Sequence, residues 1–151
     1  LNFIVREVRV SPVRAHVGDL IKVEMIVENQ GGEGAGTATE RIYANGRSVT
    51  QKLFHYDITG GTFYHETLFW DTKGVVPGEY RIRGEVYLWY DTSPFDNYLD
   101  VKRPVELLPP GTALSGKEAA GGVAIERDPR YKPAMDPSGG EAPPPGGPPG
   151  Y

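Results

Sequence analysis

Three histidines, a cluster of Asx residues and a set of aromatic rings are the groups of this chain with chemistry to offer. His16, His55 and His65 fall on three separate stretches. His55 and His65 flank Gly60-Gly61, so they could face each other across a hairpin and, with Asp57 or Glu66, present nitrogen and oxygen donors to a metal. The expectation is an ordinary cross-strand polar pair. Asp91, Asp96, Asn97 and Asp100 offer hard oxygen ligands of the kind Ca²⁺ takes. They lack the regular spacing of a calcium loop, and Asx side chains in such a segment bond their own backbone to make turns. No metal and no cofactor are therefore expected, with Asp91, Asp96 and Asp100 as the calcium alternative. No serine stands in a nucleophile elbow and no His–Asp pair has motif spacing. With no cysteine in the chain, thiolate catalysis, thiolate metal sites and disulfides are excluded. The reading is a non-enzyme with no catalytic residues.

The elements that position these groups are strands. Residues 20–29 alternate Ile21, Val23, Met25 and Val27 with Lys22, Glu24 and Glu28, the period of a half-buried strand. Similar runs cover 2–10, with a phase shift near Arg6-Glu7 that predicts a bulge, and then 37–44, 48–57, 62–70, 79–90 and 98–107. Asn45-Gly46 is a strong two-residue hairpin signal, and Gly60-Gly61 and Pro77-Gly78 punctuate the later strands. In the run 79–90, Ile82, Val86 and Leu88 face one way while Arg81, Arg83, Glu85, Tyr87 and Trp89 face the other. Adding Tyr43 from the neighbouring strand makes Tyr43, Tyr87 and Trp89 a candidate surface patch for a protein or a sugar. Seven strands with no helical period predict an all-β, immunoglobulin-like sandwich over residues 1–107.

Composition narrows the class. The chain has 151 residues and a formal charge of −4, with 12 basic and 15 acidic side chains in residues 1–107. That balance gives no footprint for nucleic acid and no basic face for a membrane, and no apolar run reaches the ~18 residues of a span. The chain opens Leu1-Asn2-Phe3-Ile4 without an initiator Met, as a mature secreted chain does after signal removal and as a trimmed chain also does. Residues 108–151 carry 19 Gly or Pro in 44 positions, which reads as an extended Pro/Gly-rich arm or linker. Inside it, Gly121-Gly122 and Asp128-Pro129 bracket a stretch with alternating Val123 and Ile125, so 122–127 is the segment expected to pair as a strand. Val123, Ile125, Tyr131 and Tyr151 are the candidate assembly residues.

The strings VSPVRAHVGDLIKVEMIVENQGGEGAGTATERIYANGRSV, LFWDTKGVVPGEYRIRGEVY and FDNYLDVKRPVEL resemble the CARDB family, the cell-adhesion-related domain found in bacteria and archaea. Matching positions are Gly18, Asp19, Val27, Asn29, Gly31, Gly46, Trp70, Pro77, Gly78, Tyr80, Asp96 and Asn97. The resemblance spans essentially all of 1–107 and implies an immunoglobulin-like fold in a structural or adhesive unit of a surface protein. Family members usually occur as repeats in long chains, whereas here one domain carries a tail, which favours self-assembly over a spacer role. The expected function is thus a non-enzymatic extracellular structural protein, a filament, pilus-like or surface-lattice subunit whose arm joins copies by β-augmentation. The alternatives are a carbohydrate-binding or adhesive module using the aromatic patch, and a virus capsid-decorating protein. Copies of itself are the expected partner, other surface proteins or glycans the alternative; nucleic acid and membrane insertion are not expected.

Overall fold

Strict alternation over long β-branched runs leaves this chain little choice but strands, and a computed structural model has strands throughout. It describes residues 2–30, 34–58, 62–88, 97–113 and 121–133. Among these there is no helix, and eleven strands follow in chain order. They are β1 (Phe3–Ser11), β2 (Arg14–His16), β3 (Leu20–Asn29), β4 (Gly34–Ala44), β5 (Arg47–Ile58) and β6 (Thr62–Asp71). Then come β7 (Gly78–Tyr80), β8 (Ile82–Tyr87), β9 (Tyr98–Asp100), β10 (Val105–Leu108) and β11 (Ala124–Arg127).

Two four-stranded sheets face each other, in the orders β11-β1-β3-β6 and β5-β4-β8-β9, and a small third sheet, β2-β10-β7, closes one end. The excess over seven strands has a simple origin. β2 is an additional short strand beyond the expected first one, while the expected sixth and seventh strands each divide, giving β7 with β8 and β9 with β10. In every case one piece stays in a large sheet while the other joins the small one. The eleventh strand comes from the arm. The predicted bulge is present: the β1–β3 register shifts between Val5 and Glu7. The Asn45-Gly46 hairpin is present too, with φ of 51° and 80° and Ala44 opposite Arg47.

Alternation fills the interlayer as expected. Ile21, Val23, Met25 and Val27 from β3 meet Ile82 and Val86 from β8, together with Val101, Val105 and Leu107, all at most 2% exposed. Trp70 and Tyr80 meet edge to face at 5.3 Å at the small-sheet end. Gly84 stands where β8 comes closest to the opposite sheet. A Cβ there would lie 2.7 Å from Met25 Sδ and 2.9 Å from Val8 Cγ2. Gly84→Ala should therefore overpack the core and cost about 1–3 kcal/mol. A thermal melt indistinguishable from the parent chain would show that the two sheets have room to separate.

The sequence pattern did not anticipate a covered outer face on the first sheet. Ile4, Arg6, Glu7, Ile26, Glu28 and His65 point away from the interlayer, yet each is at most 9% exposed. Part of the cover is the arm, which folds back on its own chain. β11 pairs antiparallel with β1 (Glu7 opposite Arg127, Val10 opposite Ala124), and Tyr131 then reaches the Phe63 ring on β6, centroids 5.9 Å apart. Packing thus continues past residue 107, which itself lies inside β10.

Candidate functional site

Two surfaces concentrate chemistry: the seam where the arm docks, and the outer face of the second sheet. The seam begins with the bulge, which turns the consecutive residues Arg6 and Glu7 both outward. Arg6 Nε donates to Glu28 Oε1 and its Nη1 to Asp128 Oδ2, both at 2.8 Å. Glu7 accepts from Arg9 Nε at 2.7 Å and from Arg127 Nε at 2.5 Å. One guanidinium and one carboxylate on β1 are thereby each shared between the domain and the arm. Hydrogen bonds from Arg130, supplemented by Arg6, hold the Asp128 carboxyl at about 2. Ala124 is buried at 4%, whereas Val123 and Ile125 are 53% and 45% exposed. The register explains this phase, because Ala124 sits opposite the inward Val10 and Ile125 opposite the outward Arg9. Of the arm residues singled out from the sequence, the strand and Tyr131 are placed. Val123 and Ile125 face solvent, and Tyr151 lies outside the described residues.

The second surface is a ladder of charges and rings. Tyr43 stands opposite Arg83, and Arg83 opposite Asp100, forming one row across β4, β8 and β9. The next row is Arg41, Glu85 and Tyr98, and beyond it Thr39 faces Tyr87. Arg83 forks onto Asp100 (Nε–Oδ1 2.7 Å, Nη2–Oδ2 3.0 Å), which raises the guanidinium pKa further, and its plane lies 4.0 Å from the Tyr98 ring centroid. Tyr43 Oη donates to Glu85 Oε1 at 3.2 Å, and Arg41 covers the Tyr87 ring at 4.9 Å. Tyr43 and Tyr87 do share this face, but the Arg41–Glu85 row separates them by about 13 Å along the strands. They do not form one stacking platform. Trp89 lies outside the described residues, as do Asp91 and Asp96.

The histidines are not brought together. β5 and β6 belong to opposite sheets, so His55 and His65 do not form a cross-strand pair. His55 Nδ1 instead contacts Thr37 Oγ1 at 3.2 Å. His65 is buried on the outer face of the first sheet, where desolvation lowers its pKa to about 4 and keeps it neutral at physiological pH. His16 bonds the Thr112 carbonyl. Among the described residues no group of three or more His, Asp or Glu is placed to hold a metal, and Asp100 is engaged by Arg83.

One titratable group was missed altogether. Glu40 on β4 points into the interlayer and is 0% exposed. No described donor reaches either carboxylate oxygen. Burial first, and then the Glu66 carboxylate beside it, raise its pKa from 4.5 to about 9. Lys52 lies at the rim, 3.4 Å from Glu66. The signal was readable, since Ala38, Glu40, Ile42 and Ala44 share one phase of β4.

The architecture matches a solved structure, the crystal structure of the CARDB domain of a Pyrococcus furiosus protein in complex with di-metal ions. The match has a TM-score of 0.50 at 21% identity, covering 72% of this chain and 93% of that one. This chain has the CARDB fold. No protein-family model matches the sequence, and no curated protein matches it either. Within the CARDB fold, several of the described positions that carried the resemblance are structural. Gly18 takes φ of 104° beside Asp19, whose side chain accepts from His16 N, and Trp70 with Tyr80 closes the core.

Proposed function

We propose that this CARDB-fold chain is a non-catalytic, extracellular, surface-type structural module that links copies of itself by exchanging β11. The carrying observation is that the edge of β1 is completed by a segment from the arm in a four-pair antiparallel register, after a connection running from 109 to 123. Any other copy presents the same edge, with the same Arg6 and Glu7, so transfer of β11 from its own domain to a neighbour's preserves every contact of the seam. Tethered exchange of an identical element is a low-cost route to oligomers. Ile125 on this outermost strand and Val123 just before it, both exposed, add apolar area that suits a neighbouring subunit.

The absence of cysteine from the chain makes the test clean. Arg9 and Ile125 are Cα partners across the seam. An Arg9→Cys chain and an Ile125→Cys chain, mixed, incubated and oxidised, should give a disulfide-linked heterodimer in far higher yield than either gives with itself. If the mixture yields no heterodimer while the double variant closes its internal disulfide, the arm serves only its own domain and this reading fails.

A further inference from the structure

The outer face of the second sheet contains a cleft that the assembly reading does not use. It has a volume of about 470 Å³ and is lined by Tyr43, Asn45, Arg81, Arg83, Glu85 and Asp100. We propose that this cleft binds a neutral saccharide.

Charge decides between ligand classes. Two guanidinium groups and two carboxylates line the cleft, so it carries no net charge to attract a phosphate, an acidic glycan or a basic peptide. It offers instead hydrogen-bond donors set beside acceptors. Arg83 spends Nε and Nη2 on Asp100, leaving Nη1 for an incoming acceptor. Glu85 takes Tyr43 Oη and the Arg41 contact on Oε1, leaving Oε2 for an incoming donor. Arg83 and Glu85 are two residues apart on β8, so their outward side chains start about 7 Å apart. A sugar ring with vicinal hydroxyls, each both donor and acceptor, matches such a pattern, whereas a purely anionic or cationic group satisfies only half of it.

The polar groups are also held in place, which lowers the ordering cost of binding. Arg83 is fixed by its fork to Asp100 and by the Tyr98 ring beneath it. Arg81 is held by Nη1 donating to the Lys102 carbonyl at 2.8 Å. Asn45 bonds the Arg81 amide and the Glu79 carbonyl. The half-buried Tyr43 ring supplies an apolar surface for the C–H face of a pyranose, with its hydroxyl anchored on Glu85.

The test is a titration of the full chain, followed by NMR, with cellohexaose, laminarihexaose and chitohexaose. A heparin hexasaccharide and inorganic phosphate serve as the charged arms. The expected result is a saturable shift of Tyr43, Arg83 and Asp100 resonances with at least one neutral hexasaccharide. Tyr43→Ala should weaken it about tenfold or more, with an otherwise unchanged spectrum. Tyr87→Ala, on the same face but outside the cleft, should leave affinity unchanged. No shift with any neutral probe overturns the proposal. So does a response at these residues only to heparin or phosphate, or equal weakening by the two tyrosine variants.

Discussion

Glu40→Gln should melt higher than the parent chain at alkaline pH, by on the order of 10 °C near pH 9, and should lose most of that advantage near pH 4.5. The cause is the pKa of about 9 that Glu40 has in the folded chain against 4.5 when free. Below about 4.5 both states hold the proton, and titration of Glu40 takes nothing from stability. Between about 4.5 and 9 the unfolded chain releases the proton while the folded chain keeps it. The Glu40 contribution to stability then falls as pH rises, with a slope approaching one proton per molecule. Gln keeps the shape and offers an N–H toward Glu66 in place of the protonated carboxyl's O–H, but has nothing to ionise. Melting temperature recorded against pH for both chains is the measurement. Parallel profiles from pH 5 to 9 would mean that Glu40 is ionised in the fold and finds a partner there.

Arg6→Met should cost about 3–5 kcal/mol, because it strips a shared guanidinium from two buried carboxylates rather than removing a complete ion pair. Glu28 and Asp128 both receive Arg6, and their side chains are 11% and 7% exposed. Asp128 keeps Arg130 after the substitution, whereas the Arg6 bonds to Glu28 and Asp128 have no replacement. Protection of the β11 amides from hydrogen exchange should drop further than that of β3, since the arm loses its charged anchor while the core stays packed. A melting temperature within a degree or two of the parent would show that the seam is solvated and the arm merely rests on the sheet. The same seam sets the acid limit. Asp128 is depressed from 3.8 to about 2, so its contribution is present above 3.8 and disappears as pH falls through that window. Glu40 and Asp128 thus act with opposite slopes, and His65, lowered from 6.5 to about 4, acts on the side of Asp128 because its contribution is lost as pH falls through that window.

The fold was legible wherever a local rule had a single outcome. Asn45-Gly46 specified a tight hairpin, the phase slip at Arg6-Glu7 specified a bulge, and alternation in β3 and β8 sorted inward from outward residues. Where one pattern served two geometries, nothing in the residues distinguished them. Alternation runs unbroken through Arg81, so the switch from the small sheet (β7) to the large one (β8) leaves no trace in hydropathy. A Gly-Gly between two strands suits a hairpin or a crossing between sheets equally, and it is the placing of β5 and β6 in opposite sheets that separates His55 from His65. Glu40 was readable but unread: a carboxylate in the apolar phase of β4 is the anomaly that burial makes chemically active. The arm is a different case. Val123 and Ile125 marked a strand by alternation, but nothing in that alternation encodes which edge receives it, or that Ala124 between them is the buried side chain.

The direction in which β11 runs has a mechanical consequence. It enters opposite Val10 and leaves beyond Glu7, where Asp128 N bonds the Arg6 carbonyl, so the chain exits toward the end of β1 that holds Phe3. Tension applied between residue 3 and residue 131 therefore pulls the two strands apart from one end. The load falls on the Asp128–Arg6 rung first and reaches the rungs toward Ala124 only in turn, like a zipper rather than a lap joint. A strand held this way resists weakly under force along the chain, yet it can be peeled off and reseated without breaking the sandwich it closes.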